Sequence, residues 1–276
     1  MSNVQSVQIQ DFSIGGGGPL VIVAGMCVIE SEALLMETGA ALLAACERAG
    51  LPLILKASFD KANRSTLTAF RGPGLVEGLD ILKRVKAALS VPVTTDVHQP
   101  EQAKAVAEVV DLLQIPAFLC RQTDLLVACA ETGLPVNVKK GQFMAPWDMG
   151  HVVDKLRSSG CQQVLLTDRG TSFGYNRLVS DIPGLAQMRT LGAPVCFDAT
   201  HSVQLPGAAK AGTGGNSAAA PALARAAVAA GVDAVFLECH PQPSLARSDS
   251  ATALSLQQLP ALLAQLAAID ALVRGR

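Results

Sequence analysis

Short β-branched and leucine-rich runs recur along the chain, each giving way to a polar loop and then to a stretch whose apolar positions repeat every three or four residues. About eight such runs stand out, the number expected of a (β/α)8 barrel of roughly 250 residues. They are Leu20–Ala24, Leu53–Lys56, Val91–Asp96, Val110–Ile115, Val136–Lys139, Gln163–Asp168, Val195–Asp198 and Ala234–Glu238. Their near-continuous apolarity is that of parallel strands covered on both faces. Strand, loop and helix alternate to the C-terminus, which predicts an α/β fold and not segregated α+β.

The helix after the first run shows the pattern plainly. Ser31 can cap it, Leu34, Leu35, Thr38, Ala41, Leu42, Ala45 and Cys46 form one apolar stripe, and Gly50 can end it. Similar stripes follow at Leu79–Leu89, Pro100–Val109, Asp124–Thr132, Asp148–Ser159, Pro221–Gly231 and Leu256–Leu272. Ahead of the first run, Val4–Ile14 alternates apolar and polar, as a strand or hairpin capping the lower end of the barrel would. The chain therefore reads as a single TIM-barrel domain, 1–276, with an N-terminal extension over 1–18. Loops 205–220 and 240–253 follow the seventh and eighth strands, where barrel enzymes carry their sites.

Composition narrows the function. Half the residues are apolar and 16% are charged, so a large core is available. A net charge of -1 gives no bulk attraction to nucleic acid or to an anionic membrane, and any anionic ligand must be met by local cations. The 7 cysteines lack CxxC spacing and read as reduced thiols of a cytoplasmic protein. No signal peptide or membrane span is expected, because the start of the chain lacks a basic stretch followed by an apolar run and the long apolar segments are broken by charge.

Polar residues gather where each apolar run stops: Cys27, then Lys56 to Ser65, Asp96 with His98, Gln114, Asn137 with Lys139 and Lys140, Asp168 with Arg169, Asp198 with His201, and Glu238 with His240. If Val136 and Val138 face the helices, Asn137 and Lys139 point into the barrel mouth, which favours Lys139 over Lys140. Lys56, Lys61, Lys139 and Arg169 converging on one rim suit a substrate carrying phosphate and carboxylate. Taken singly, each reads equally as a solvated loop charge or an ion-pair partner of Asp60, Asp96 or Asp168. Cys27, His201, Glu238 and Asp249 would be adjacent in a closed barrel. Such mixed S, N and O ligation suits Zn or Fe(II), or Mn if carboxylates dominate, although Cys27 can equally fill core and Asp249 can cap a helix. Gly15–Gly18 precedes a strand, so it is a connector and not a phosphate cradle.

The strings KASFDKANRS, LLQIPAFLCRQTDLL, NVKKGQFMAPWDM, TDRGTSFGYNRLVSD and FDATHSVQLPG together resemble the 3-deoxy-D-manno-octulosonate 8-phosphate synthases over nearly the whole chain. The related 3-deoxy-D-arabino-heptulosonate 7-phosphate synthases share the barrel, but KANRS is similar to the octulosonate enzymes. The resemblance implies condensation of phosphoenolpyruvate with D-arabinose 5-phosphate on the way to the lipopolysaccharide inner core. It places Lys56 and Lys61 at the phosphoenolpyruvate carboxylate, Lys139 and Arg169 at its phosphate, and Gln114 nearby. Asn63, Arg64 and Ser65 serve the sugar phosphate, Asp96 lies at the sugar hydroxyls, and Arg121 reaches in from a neighbouring subunit of a homotetramer. Lys56, Lys61, Asp96 and His201 form the catalytic group. Cys27 resembles the metal-dependent form, with His201, Glu238 and Asp249 as the remaining ligands. One departure is Gly214–Ser217, which lacks the basic residue often found after the paired glycines, so no phosphate contact is assigned there. The rival readings are the heptulosonate enzyme, a Schiff-base aldolase using Lys139 or Lys56, and a non-catalytic sugar-phosphate-binding barrel.

Overall fold

The computed structural model describes residues 4–209 and 212–275. Among them, eight parallel strands close a barrel: β1 (Val21–Val28), β2 (Leu53–Ser58), β3 (Val93–Asp96), β4 (Leu112–Ile115), β5 (Val136–Lys139), β6 (Val164–Asp168), β7 (Val195–Asp198) and β8 (Ala234–His240). Each strand pairs with the next in sequence, and β8 pairs with both β7 and β1 to complete the ring. The helices outside are α1 (Glu32–Ala49), α2 (Leu75–Leu89), α3 (Ala103–Ala107), α4 (Thr123–Ala130), α5 (Met149–Ser158), α6 (Ile182–Arg189), α7 (Ala220–Ala229) and α8 (Leu259–Arg274). All eight expected strand runs are present, and α1 is capped as its sequence predicts, with Ser31 accepting from Leu34 N and Gly50 left-handed at the end.

Strand periodicity divides the barrel into two layers. Residues of one parity, such as Leu53, Leu55, Val136 and Val138, pack outward against the helices. In the lower half, the inward parity supplies Val21, Val23, Ile54, Leu112, Leu165, Cys196, Ala234 and Phe236. One step further along the strands it supplies Lys56, Asp96, Gln114, Asn137, Lys139, Thr167, Asp198 and Glu238, all buried. The hairpin Val7–Ile9/Phe12–Ile14 seals the lower end by adding Val7, Ile9 and Ile14 to the apolar layer. An apolar floor thus lies beneath a polar upper chamber.

Gly25 is what allows β1 and β2 to close at the level of that chamber. A Cβ there would stand 1.9 Å from the Lys56 carbonyl oxygen, and the β1–β2 register shifts just beyond it, between Gly25 and Val28. Gly25→Ala must therefore push two central strands apart. We expect a loss of about 3 kcal/mol or more, read as a lower urea midpoint; an unchanged midpoint would contradict the packing argument.

Three elements depart from the sequence reading. Helix α6 was not anticipated, since its Asp181-Ile-Pro-Gly184 start resembles a turn; Asp181 instead caps it, accepting from Gly184 N, and Pro183 sits in the first turn, where no intrahelical N–H is missed. The loop 205–220 carries secondary structure that its composition did not announce: Gln204–Ala209 and Gly212–Gly215 form an antiparallel hairpin beside the chamber. The stripe at Pro100–Val109 splits into a 3₁₀ turn and the short α3. Helix α8 with its preceding turn is, among the described residues, the one helix long and apolar enough to cross a membrane. It packs on α1 and α7 and buries Leu259, Leu262, Leu263 and Leu266, so its apolarity belongs to the barrel shell.

Candidate active site

The upper chamber opens into a cavity of about 680 Å3. Of the sequence-predicted residues, Lys56, Lys61, Asn63, Arg64, Ser65, Asp96, Gln114, Lys139, Arg169, His201 and Asp249 line it. With Arg247, six cationic side chains face two carboxylates, Asp96 and Asp249, in a protein whose net charge is -1. The field is therefore local, as neutrality of the whole chain requires.

Lys56, buried at the foot of the cavity, donates to Glu238 Oε1 and the Cys27 carbonyl, both at 2.9 Å. Burial alone would lower its pKa, but Glu238, with Asp96 and Cys27 adding to it, outweighs this and holds it raised. Such an ammonium is a fixed charge and a poor Schiff-base nucleophile. Lys139 donates to Asp198 Oδ2 at 2.6 Å and lies 3.5 Å from the Phe236 ring centroid, on the cation-attracting face. Arg169, 6% exposed, donates one N–H to Gln204 Oε1, while its NH1 has no protein partner. Burial lowers its pKa, a cost that an anion bound there would relieve. Lys140 lies outside the cavity, holding Asp168 at 3.3 Å and the Met144 carbonyl, as the parity argument anticipates.

On β3, next to the Lys56 strand, Asp96 accepts from Ser58 Oγ and Gln114 Nε2. Burial resists its ionisation, yet Lys56 and Lys61 hold its carboxyl well below the usual range. Gln114 also accepts from Asn137, which accepts from Thr167, so an amide chain across β4, β5 and β6 fixes the wall. Lys61 is set by the Arg71–Gly74 turn: its N–H donates to Arg71 O at 2.7 Å, and Gly72 there approaches Phe59 O so closely that a Cβ would stand 2.5 Å away. Arg64 donates to Ser248 Oγ at 2.9 Å and to the Arg247 carbonyl at 2.8 Å, joining the β2 loop to segment 240–253. Of the predicted substrate-binding residues, Arg121 alone is not brought to this cavity. It is exposed and lines a separate depression with Phe143, Asp148, His151 and Lys155.

Cys27, Glu238 and Asp249 place their ligating atoms within 4.8 Å of one another. His201 Nε2 joins them, 3.4 Å from Glu238 Oε1 and 3.7 Å from Asp249 Oδ2. Asp249 does not cap a helix. Its backbone is left-handed at φ 50, which a non-glycine residue adopts at a cost, and its carboxylate turns inward to Cys27 Sγ at 3.0 Å. Burial, then Asp249 and Glu238, push the Cys27 thiol well above its ordinary pKa. The second oxygen of Glu238 is buried without a partner. A divalent cation among these four donors would answer both observations, pairing the orphaned oxygen and favouring the thiolate. Donors and burial thus fit a metal of the Zn, Fe(II) or Mn kind.

Sequence reasoning set Asp198 at the rim but gave the connecting residues no role. Asp198 takes both Lys139 Nζ and His201 Nδ1 on one oxygen, each at 2.6 Å. Gln204 bridges Arg169 and Asp249 Oδ1, the latter at 3.0 Å. Ser58 and Ser248 support Asp96 and Cys27. Asp198 carried a signal, being the inward residue that ends β7; Gln204 carried none beyond its place in the FDATHSVQLPG string.

A closed parallel barrel with cations and a four-donor cluster at its carboxyl rim is the architecture of a barrel enzyme acting on phosphorylated substrates. The chain belongs to the DAHP synthetase I family, whose model matches residues 3–274. Relatives within that family include 2-dehydro-3-deoxyphosphooctonate aldolases, the 3-deoxy-D-manno-octulosonate 8-phosphate synthases. The protein of Geobacter sp. (strain M21) is 54% identical over 269 residues, 98% of each chain. That of Geobacter metallireducens (strain ATCC 53774 / DSM 7210 / GS-15) is 54% identical over 270 residues, 98% of this chain and 99% of the other. That of Nitratidesulfovibrio vulgaris (strain DP4) is 58% identical over 248 residues, 90% of this chain and 91% of the other.

Proposed function

We propose that this barrel condenses phosphoenolpyruvate with D-arabinose 5-phosphate and water, giving the eight-carbon phosphorylated sugar acid and inorganic phosphate. The observation that carries the reading is that one cavity is lined both by Lys139 and Arg169, from the ends of β5 and β6, and by Asn63, Arg64 and Ser65, from the loop after β2. Two sets of cationic and polar side chains, with Lys56, Lys61 and Asp96 in the same lining, suit two phosphorylated substrates held together in one cavity.

In this reading Lys139 and Arg169 hold the phosphate of phosphoenolpyruvate, and Lys56 and Lys61 its carboxylate end. Arg64, Asn63 and Ser65 take the sugar phosphate, completed by Arg121 of a neighbouring copy in a homotetramer, which accords with its position outside its own chain's cavity. The vinyl carbon forms a bond to the aldehyde carbon, water adds to the carbon bearing the phosphate ester, and that carbon–oxygen bond breaks. The bridging oxygen leaves with phosphate. Held close, the reactants need little further ordering, and the fixed ammonium and guanidinium groups stabilise the developing anionic charge. Asp96, kept ionised, accepts from a sugar hydroxyl. Cys27, His201, Glu238 and Asp249 would hold a divalent metal, which when bound supplies a Lewis acid or an orienting centre for the aldehyde oxygen. The paired strands Gln204–Ala209 and Gly212–Gly215, with segment 240–253, border the cavity as its active-site loops. The cysteines, all free and buried, suit a reducing cytoplasm.

The test is phosphate release from phosphoenolpyruvate with arabinose 5-phosphate against erythrose 4-phosphate. We expect turnover with the five-carbon sugar, little with the four-carbon one, and a bridging 18O label recovered in phosphate. Preference for erythrose 4-phosphate would reassign the substrate; label retained in the organic product would refute carbon–oxygen cleavage. Borohydride should trap no substrate on Lys56 or Lys139.

A further inference from the structure

Both cations assigned to the phosphoenolpyruvate phosphate are tied, each through one intervening side chain, to a donor of the four-residue cluster. Lys139 and His201 Nδ1 meet on Asp198 Oδ2, each at 2.6 Å. Arg169 and Asp249 meet on Gln204, whose Oε1 accepts from the guanidinium while its Nε2 donates to the carboxylate at 3.0 Å. Turning that amide over would set its NH2 against a guanidinium and its oxygen against a carboxylate, so one orientation is enforced. Gln204 is 8% exposed and Asp198 fully buried, and water does not screen either bridge.

We propose that Gln204 is a positioning residue that couples the phosphate subsite to the metal site, making metal affinity depend on phosphoenolpyruvate. The sign follows from the hydrogen bonds. A phosphate on Lys139 and Arg169 neutralises charge that now draws on Asp198 and Gln204. Asp198 then accepts more strongly from His201 Nδ1–H, which makes Nε2 the better donor. Gln204, no longer polarised by a full guanidinium charge, withdraws less from Asp249. Both changes tighten metal binding, and linkage requires the metal to tighten phosphoenolpyruvate by the same factor. The inference rests on the phosphate assignment of the proposed function and goes beyond it by naming the residue that carries the communication.

The experiment measures Zn2+ affinity of the full chain by competition with a chromophoric chelator, with and without saturating phosphoenolpyruvate and with no sugar phosphate present. Binding of phosphoenolpyruvate is followed separately by calorimetry. Across the range of about 5- to 150-fold usual for coupled sites, we expect tightening of about 10-fold in the parent. In Gln204→Met it should fall to about 3-fold or less, the remainder being the Asp198 bridge and direct attraction across the site. The ratio of the two affinities is the readout, because loosened packing would weaken both and leave it unchanged. Gln204→Ala carries the same expectation should the methionine variant not fold. Undiminished tightening in the folded variant overturns the proposal, as does a parent that binds both ligands without coupling. Failure of phosphoenolpyruvate or Zn2+ to bind the parent at all refutes the proposed function as well, and the two failures are thereby told apart.

Discussion

Lys139→Met will lower kcat/KM for phosphoenolpyruvate by about 100- to 1000-fold and unfolding free energy by about 3–5 kcal/mol. The two losses have different origins. The catalytic one is the cation assigned to the substrate phosphate, held over Phe236 where methionine leaves only apolar contact. The stability loss arises at Asp198, which is 0% exposed and would keep only His201 and the nearby Thr200 hydroxyl as side-chain partners. Removing one member of a buried pair costs more than the pair contributes, since the survivor is left charged in a poor solvent. Adding Asp198→Asn to Lys139→Met should therefore recover most of the urea midpoint while leaving kcat/KM low. Recovery of activity together with stability would make Lys139 a structural lysine and remove it from the phosphate subsite.

That separation also shows what the sequence could carry. The eight strands were legible because burial on both faces demands continuous apolar runs, and the rim residues because polarity at the end of such a run has few structural uses. Parity then put Lys139 in the chamber and Lys140 outside it, and the side chains lie that way. The helix at Ile182–Arg189 was hidden by Pro183 and Gly184, residues that a first helical turn tolerates but that local pattern reads as a bend. The pairing of Gln204–Ala209 with Gly212–Gly215 was hidden because glycine and alanine lack the alternation that announces a strand. Gln204 was missed for a different reason. Its meaning lies in joining Arg169, which follows β6, to Asp249, which follows β8, and no local window contains both.

Removal of divalent metal will lower the condensation rate by about 1000-fold or more, the several kcal/mol a metal centre contributes, and adding back Zn2+, Fe2+ or Mn2+ will restore it. Cys27→Ala should produce the same loss in a form that metal at ordinary concentrations does not reverse. The reason is the character of the cluster. Without Cys27 the remaining donors are His201, already bonded to Asp198 through Nδ1, and two carboxylates, one of which is also paired with Lys56 at 2.9 Å. That set keeps oxygen affinity but loses the one soft ligand, so Zn2+ should weaken by more than the ~10–100-fold that losing an outer-shell partner costs, and Mn2+ by less. Inductively coupled plasma analysis after dialysis reads occupancy, and phosphate release reads rate. The two must fall together across both treatments. A verified metal-free preparation that turns over at full rate would separate the Cys27, His201, Glu238 and Asp249 cluster from the reaction. The orphaned Glu238 oxygen would then need another buried partner, and a water held among Cys27, His201 and Asp249 is the one the geometry offers.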